Sequence, residues 1–240
     1  MTKLYEAGDH LLLCAGYADP VEHRHMAAHI LIAMDGLLEI RSGEQLLECR
    51  GIMIPSGVRH GIRTQGGALV FLFDSTTNVA ARITTLQEIP DSVCKQIRQA
   101  YEQMQHSGDY DGFAAFVKHS LDLEATGCRV TDQRMRRAME WMRSHATETV
   151  TCADVAEAVF MSESRFSHLF KEQLGMTVPA YLIYQRLMYV YTAVLRGRSI
   201  TESALAAGFS SSGHFADVSR RVFGLSASEI LKDLTVVRVT

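Results

Sequence analysis

Four histidines in the first third of the chain could act together as metal ligands. His23, His25 and His29 all carry odd numbers, so on one extended strand their side chains would project from the same face. His60 follows a turn at Pro55 and would add a fourth imidazole. Neutral imidazoles suit Zn, Ni, Co, Cu or Fe(II) better than Mg or Ca. The spacing predicts a divalent transition-metal site, and a metal-free pocket or buried structural histidines are the alternative.

A second set of chemically capable residues lies in the last third of the chain, on two predicted helices. Most are hydrogen-bonding or basic groups, which suit the base edges and phosphates of DNA. In chain order they are Ser164, Arg165, Ser167, His168, Lys171, Ser212, His214, Asp217, Arg220 and Arg221. Asp217 differs, because a carboxylate repels phosphates unless it accepts a hydrogen bond from cytosine N4. For each exposed Ser and His, a solvated helix face is the alternative.

The elements that would position this second set are two copies of one pattern, residues 151–175 and 199–224. Ser162 has a counterpart 48 residues later, whereas Phe166 has its counterpart 49 residues later, after one inserted residue. In the first copy Ser162 caps a helix in which Phe166 and Phe170 belong to a buried stripe. Repetition at this length indicates one helix-turn-helix unit used twice.

The repeated motifs resemble the tandem helix-turn-helix domain of the AraC/XylS family of bacterial transcription regulators, over about residues 131–235. The matching positions are Ala156, Ser162, Phe166, Phe170, Lys171, Gly175, Tyr181, Arg186, Leu187, Ile200, Ala204, Gly208, Phe209, Phe215 and Gly224. The resemblance implies an all-α DNA-binding domain at 131–240, with the second helix of each motif in successive major grooves. Ser203, Ser219 and Ala227 replace the family's usual Ile or Leu, Phe and Pro. We therefore expect looser packing in the second motif.

The N-terminal half has the pattern of a β-structure. From Ala28 to Phe73 short apolar runs alternate with turn signals, among them Asp35-Gly36. Asp-Gly between two apolar runs predicts a hairpin. Strands at this spacing predict a small antiparallel barrel or jelly roll.

The same region resembles a cupin. Gly16, His23, His25, His29 and Gly36 resemble the first cupin motif, with His29 in the position of its glutamate, and Pro55, Gly57 and His60 match the second motif. The resemblance implies a cupin-like sensor domain over residues 1–90, joined to the helical domain in an α+β multidomain protein. Many AraC-type regulators carry such a domain, so the two resemblances support each other.

Two helical stretches, separated by Gly108, are predicted in the region 91–124 between the domains. The family uses helices here for dimer contacts, which implies a homodimer on paired DNA half-sites. The alternative is that these helices only cap the open end of the barrel.

Bulk properties fit a cytoplasmic protein. The 240 residues are enough for two domains. Residues 1–130 hold 11 Lys+Arg against 16 Asp+Glu, whereas residues 131–240 hold 13 against 11. The basic excess lies in the predicted DNA-binding half but is too small to predict DNA binding alone. Five scattered cysteines are typical of reduced thiols, and neither a signal peptide nor a membrane span is predicted.

The sequence thus predicts a DNA-binding transcription regulator, of the activator type, whose cupin domain senses a small ligand or a transition metal. RNA polymerase is a further expected partner, and no catalytic residues are assigned. The alternative is a cupin metalloenzyme of the oxygenase or isomerase type. Against it, four histidine ligands leave less room for substrate than three ligands and water. A third interpretation is a sensor for an organic effector near Met34, Met53 and Phe71.

Overall fold

The computed structural model of the chain describes residues 2–7, 10–16, 22–24, 26–125, 130–223, 231 and 234–238. The chain divides into two compact units. The sheet unit comprises Met1–Gly127 together with Ile230–Thr240, and the helical unit comprises Cys128–Glu229. Within the ranges described, no helix has both the length and the apolar character needed to cross a membrane. An antiparallel β-region therefore precedes a helical region, as the sequence predicts.

Ten strands are described in the sheet unit. They are β1 (Thr2–Glu6), β2 (His10–Gly16), β3 (Ala28–Ala33), β4 (Leu38–Ser42), β5 (Gln45–Cys49), β6 (Gly51–Ile54), β7 (Gly61–Thr64), β8 (Gly67–Phe73), β9 (Gln87–Glu88) and β10 (Leu234–Arg238). Seven form one sheet in the order β10-β1-β2-β8-β3-β6-β9, and three form a second sheet in the order β5-β4-β7. Every residue of β3 is buried, as expected for a strand covered on both faces.

Of the expected barrel or jelly roll, the described residues form two separate sheets, because no strand ladder among them joins the two. The hairpin prediction at Asp35-Gly36 is wrong. β3 pairs with β6 and β8, whereas β4 pairs with β5 and β7. Gly36 still takes a left-handed φ of 66°, so a turn exists, but it sends the chain from one sheet to the other. The hairpin forms one turn later, where Ser42 pairs with Gln45.

Three helices with described bounds accompany the sheets: α1 (Asn78–Arg82), α2 (Asp91–Ser107) and α3 (Tyr110–Ser120). The two helices predicted between the domains are confirmed, and Gly108 ends α2 in the left-handed conformation. Ile97 and Phe113 belong to the same apolar core as the strand residue Phe71. The ring centroids of Phe71 and Phe113 lie 5.9 Å apart. These helices therefore cover the sheet unit's core.

The helical unit contains six described helices: α4 (Gln133–Ser144), α5 (Cys152–Ala158), α6 (Glu163–Leu174), α7 (Val178–Leu195), α8 (Ile200–Ala206) and α9 (Ser212–Phe223). The long helix α7 packs against both helix pairs. Near its start the Tyr181 ring meets Phe170 of α6, with centroids 5.5 Å apart. Near its end the Tyr191 ring meets Phe215 of α9 at the same centroid distance. One rigid helix therefore sets the orientation of α6 relative to α9.

The end of the chain departs from the predicted domain range 131–240. Strand β10 pairs in parallel with β1, from Thr2 opposite Leu234 to Glu6 opposite Arg238. The last residues therefore belong to the sheet unit rather than to the helical unit. Thr235, Val236 and Val237 are β-branched residues that favour a strand. Pairing with a strand more than two hundred residues earlier leaves no local signal in the sequence.

Candidate nucleic-acid interface and histidine cluster

The first helix-turn-helix motif consists of α5 and α6. Thr151 begins α5 with a capping box, in which Thr151 and Asp154 each accept from the other's backbone N–H, so the helix start has satisfied donors. Phe166 and Phe170 of α6 are fully buried, with ring centroids 5.5 Å apart. Truncating either ring to Ala would cost about 3–5 kcal/mol. The predicted apolar stripe is therefore the buried face of α6.

The opposite face of α6 carries the first group of predicted DNA contacts. Ser164, Arg165, His168 and Lys171 are exposed. Ser167 is half-buried, and its Oγ lies 3.0 Å from Sγ of Cys152 on α5. Four of the five residues can reach a ligand, whereas the hydroxyl of Ser167 also joins the two helices of the motif.

The second motif, α8 and α9, has the same arrangement. Phe215 is fully buried, which turns the outer face of α9 to solvent. His214, Asp217, Arg220 and Arg221 are exposed, and Ser212 is half-buried. The structure thus places nearly all residues of the predicted set on the outer faces of α6 and α9. Each helix is buried on the opposite face, which is the arrangement that groove binding requires.

The turns of the two motifs differ in one residue. In the first turn Phe160 has a φ of 57° and is 94% exposed, although bulky residues rarely adopt this left-handed conformation. In the second turn Gly208 takes the equivalent position with a φ of 78°. Phe160 lies two residues before Ser162, the N-cap of α6. Gly208 lies three residues before Ser211, which immediately precedes α9.

Packing of the second motif differs from the expected looseness at one serine. Ser219, in place of a family Phe, is fully buried, and its hydroxyl forms a hydrogen bond with that of Tyr191. The Tyr191 ring fills space between Phe215 and Phe223, with centroids 5.5 and 5.7 Å away. Burial raises the pKa of Tyr191. A tyrosine–serine pair therefore occupies the place of a single aromatic ring.

Ser203, the other serine in place of an apolar family residue, has no such hydrogen bond among the described residues. Ser203 of α8 is 2% exposed, and its Oγ has no hydrogen-bond partner within the described part of the chain. A buried hydroxyl without a partner retains its desolvation cost. The expectation of weaker packing in the second motif therefore holds at Ser203 but not at Ser219.

The predicted metal ligands partly converge around His60. The ring centroid of His60 lies 4.7 Å from that of His23 and 5.1 Å from that of His29. Two backbone hydrogen bonds of 2.9 Å join His23 to His60, and His29 and His60 are both buried. Nδ1 of His60 lies 2.9 Å from the carbonyl oxygen of Val58. A carbonyl only accepts, so Nδ1 carries the proton and Nε2 keeps its lone pair.

The electrostatics of this cluster favour neutral imidazole. Burial, followed by the neighbouring His23, lowers the pKa of His60 to about 4. Among the described residues, no three His, Cys, Asp or Glu side chains are arranged to hold a metal ion. The fourth predicted ligand, His25, lies outside the described residues.

A buried polar group in the sheet unit was missed by sequence reasoning. His10 is 4% exposed, and its Nε2 lies 2.7 Å from the hydroxyl of Tyr110 on α3. The Tyr110 ring stacks on Tyr5 of β1 at a centroid distance of 5.1 Å, and the Tyr5 hydroxyl accepts a hydrogen bond from Gln105 of α2. The group ties the sheet to both helices. An isolated His before an apolar run gives no signal of such a contact.

Two motifs with exposed polar outer helices define the helix-turn-helix class of protein, and comparison with known proteins supports this. A family model described as a helix-turn-helix domain matches residues 155–233. The HTH-type transcriptional activator RhaS of Salmonella paratyphi A is 29% identical over 154 residues, 59% of this chain and 55% of the relative. This chain thus spans about half the length of that curated relative. The helix-turn-helix region of this chain is therefore similar to that of a known transcriptional regulator, in line with the resemblance of its sequence to the AraC/XylS family.

Solved structures show that the fold is shared over almost the whole chain. Apo ToxT from Vibrio cholerae superposes with a TM-score of 0.61 and 15% identity, covering 96% of this chain and 100% of that one. Wild-type ToxT with a bound unsaturated fatty acid gives a TM-score of 0.57 and 14% identity, covering 94% and 95%. At these identities the likeness shows the fold alone. The order of a β-region followed by two helix-turn-helix motifs is therefore common to both proteins.

Proposed function

We propose that this protein is a sequence-specific regulator of transcription that binds double-stranded DNA through α6 and α9. The observation that carries the proposal is the pair of exposed polar faces on two helices joined through α7. RhaS is named a transcriptional activator, and we propose activation here too, with RNA polymerase as a partner. Catalysis is the less favoured alternative, because the relatives carry the names of regulators and no catalytic residues are assigned.

In this proposal the charged and the polar residues have separate roles. Arg165, Lys171, Arg220 and Arg221 contact phosphates and supply affinity that depends on salt. Ser164, Ser167, His168, Ser212, His214 and Asp217 lie toward base edges and supply sequence preference. Because α7 holds α6 and α9 at a fixed angle, the two helices can enter two successive major grooves on one face of the duplex.

The test is binding of purified full-length protein to duplexes selected from a random library. Replacing Arg165 by Ala is expected to weaken binding about tenfold and to reduce the salt slope by about one, since one phosphate contact is lost. The control is Arg143→Ala, which removes an exposed charge from the last turn of α4 and is expected to leave the affinity and the salt slope unchanged. If the wild-type protein binds no duplex at low salt, the proposed function is wrong.

We also propose that the sheet unit is a cupin-like, jelly-roll sensor that controls DNA binding. The protein would act in the cytoplasm, where its DNA lies. The fatty-acid-bound form of ToxT supports a small-molecule effector for a protein of this fold. An effector switches the regulator only if it binds two arrangements of the protein with different affinity. Thermal-shift screening of small organic acids, followed by DNA-binding measurements with each hit, tests this proposal.

A divalent transition metal is the second candidate effector, and the hydrogen bond of His60 to Val58 supports it. A metal-binding imidazole usually donates its other ring nitrogen to a carbonyl or carboxylate, as His60 does to Val58. His23, His29 and His60 are not arranged as ligands in this structure, so their side chains would have to move closer together to bind the ion, with His25 as the fourth ligand. Elemental analysis of the native protein beside a His60→Ala variant tests this. Equal metal content in both proteins would exclude His60 as a ligand.

A homodimer would match paired half-sites on DNA. We propose that its contact surface is the outer groove of the α2–α3 pair, a groove of about 530 Å³. Glutamines Gln96, Gln99 and Gln103 line it beside Phe113 and Phe116. Sedimentation of the wild-type protein and a Phe116→Asp variant tests the dimer, because a charge on this half-exposed ring would separate the subunits. A monomeric wild-type protein would refute it.

A further inference from the structure

The residue inserted in the second motif adds a backbone donor that the first motif lacks. The hydroxyl of Ser211 accepts from the backbone N–H of His214 at 3.0 Å, so Ser211 serves as the N-cap of α9. In the first motif the N-cap is Ser162, 49 residues earlier. The extra residue is therefore Ser210, just before the cap. Its N–H needs an acceptor, because it lies outside the helix's own hydrogen bonds.

His214 provides that acceptor. The backbone N–H of Ser210 donates to Nδ1 of His214 at 3.2 Å, and the Ser210 hydroxyl lies 3.1 Å from the same nitrogen. A backbone N–H can only donate, so Nδ1 holds a lone pair and the proton of the neutral ring is on Nε2. The edge contact with Phe209, at a centroid distance of 5.5 Å and an angle of 80°, also holds the ring. Both the tautomer and the ring orientation are thereby set before any ligand arrives.

The second ring nitrogen, Nε2, belongs to an exposed side chain of α9. His214 is exposed and lies one turn before Asp217, which is also exposed, so the two side chains share one helix face. The Nε2–H of His214 is a donor and the carboxylate of Asp217 is an acceptor. In the major groove, guanine presents acceptors at N7 and O6, and cytosine presents a donor at N4. The pair of side chains therefore complements a G·C-containing step.

We propose that His214 reads a guanine by donating a hydrogen bond from Nε2 to guanine N7 in the major groove. This inference rests on the proposed DNA-binding function and assigns the base class that α9 recognises. The contact gains from preorganisation, because the ring loses little freedom on binding. A purely structural role for His214, as acceptor for Ser210, is the competing explanation. It predicts an effect on stability without any dependence on a particular base.

The experiment is a double-mutant cycle between the protein and one atom of the DNA. A tight duplex is first selected with purified full-length protein from random duplexes about 30 base pairs long, which is about three helical turns. Each guanine is then replaced in turn by 7-deazaguanine, which lacks the N7 acceptor but keeps Watson–Crick pairing. The wild-type protein is expected to lose about tenfold in affinity at one guanine, and His214→Ala is expected to lose nothing further at that guanine.

Two further variants make the result specific. His168→Ala makes the same change on α6 and must stay sensitive to the guanine that His214 reads. His214→Phe keeps the ring edge against Phe209 while removing both nitrogens, so it serves if the alanine variant unfolds. The proposal is overturned if the losses in affinity from His214→Ala and from 7-deazaguanine multiply at every guanine, because the two changes would then be independent. It is equally overturned if His214→Ala is coupled only to the replacement of a phosphate by a methylphosphonate, because His214 would then contact the DNA backbone and not a base. A wild-type protein that selects no duplex refutes the proposed function instead.

Discussion

Removing the hydroxyl of Ser203 should stabilise the helical unit. The side chain is 2% exposed, and its Oγ has no hydrogen-bond partner among the described residues. A buried hydroxyl of this kind costs about 1–3 kcal/mol, and Ala is also a better helix former than Ser by about 0.5 kcal/mol. We expect Ser203→Ala to raise the free energy of unfolding by about 1.5–3.5 kcal/mol, the sum of the two effects. In a unit of about 100 residues, 1 kcal/mol corresponds to a Tm change of about 4–8 °C.

The matched control is the same substitution at Ser219. This residue is also buried in a helix, but its hydroxyl bonds to that of Tyr191, which is 7% exposed. Ser219→Ala leaves the tyrosine hydroxyl without this partner, so we expect a loss of about 1–2 kcal/mol. The assay is reversible thermal and urea unfolding of the full-length proteins, followed by far-ultraviolet circular dichroism.

The opposite signs of the two changes are the decisive result. If both alanine variants were destabilised by similar amounts, lost packing volume would explain them and hydrogen-bond satisfaction would not. If Ser203→Ala changed nothing, its hydroxyl would be solvated in solution. A crystal structure of the wild-type protein would then show a water bound to the Ser203 hydroxyl.

Three other results are expected. Phe160→Gly should raise the free energy of unfolding by about 1 kcal/mol. Relief of the strained left-handed backbone, worth about 1–3 kcal/mol, exceeds the entropic cost of Gly, about 0.5–1 kcal/mol, and the exposed ring loses no packing. Gly208→Ala, measured in the same urea titrations, should lower the free energy of unfolding. Burial raises the pKa of Cys49 and of Cys94 to about 11. Alkylation at pH 8, followed by peptide mass spectrometry, should therefore modify both thiols more slowly than those of the half-buried Cys14 and Cys152. Equal rates for all four thiols would contradict the burial of Cys49 and Cys94. Asp132 caps α4, and hydrogen bonds from the neighbouring arginine lower its pKa from 3.8 to about 2. Asp132→Ala should therefore cost about 1 kcal/mol at pH 7, and the difference in Tm from the wild-type protein should shrink as the pH falls from 4 toward 2, where the folded carboxylate is protonated; a difference independent of pH would contradict this.

The helix-turn-helix motifs are predictable from sequence because their determinants are local. Thr151 and Ser162 precede their helices, and Phe166 and Phe170 repeat at helical spacing. Gly175 ends α6 with a left-handed φ of 74°, which glycine adopts without steric cost. Each of these signals acts within a few residues of the position that carries it. Exposure of the predicted contact residues follows directly from the buried stripe opposite them.

Two of the features that escaped prediction depend on distant parts of the chain. An Asp35-Gly36 turn has the same local chemistry whether the strands it joins pair with each other or enter different sheets. Likewise, the contact of His10 with Tyr110 joins residues one hundred positions apart. The inserted residue of the second motif was visible in the sequence, but only the capping hydrogen bond from the backbone N–H of His214 to Ser211 identified it as Ser210.

The return of β10 to β1 has a practical consequence for anyone who wishes to study the two halves separately. Cutting the gene after the sheet unit's first 127 codons would discard its outermost strand and leave the hydrogen-bonding edge of β1 open to other chains, a recognised cause of aggregation. Rejoining residues 230–240 to that fragment through a short flexible peptide would restore the edge. The helical unit, which the chain enters and leaves as an insertion, is the better candidate for excision as a separate fragment.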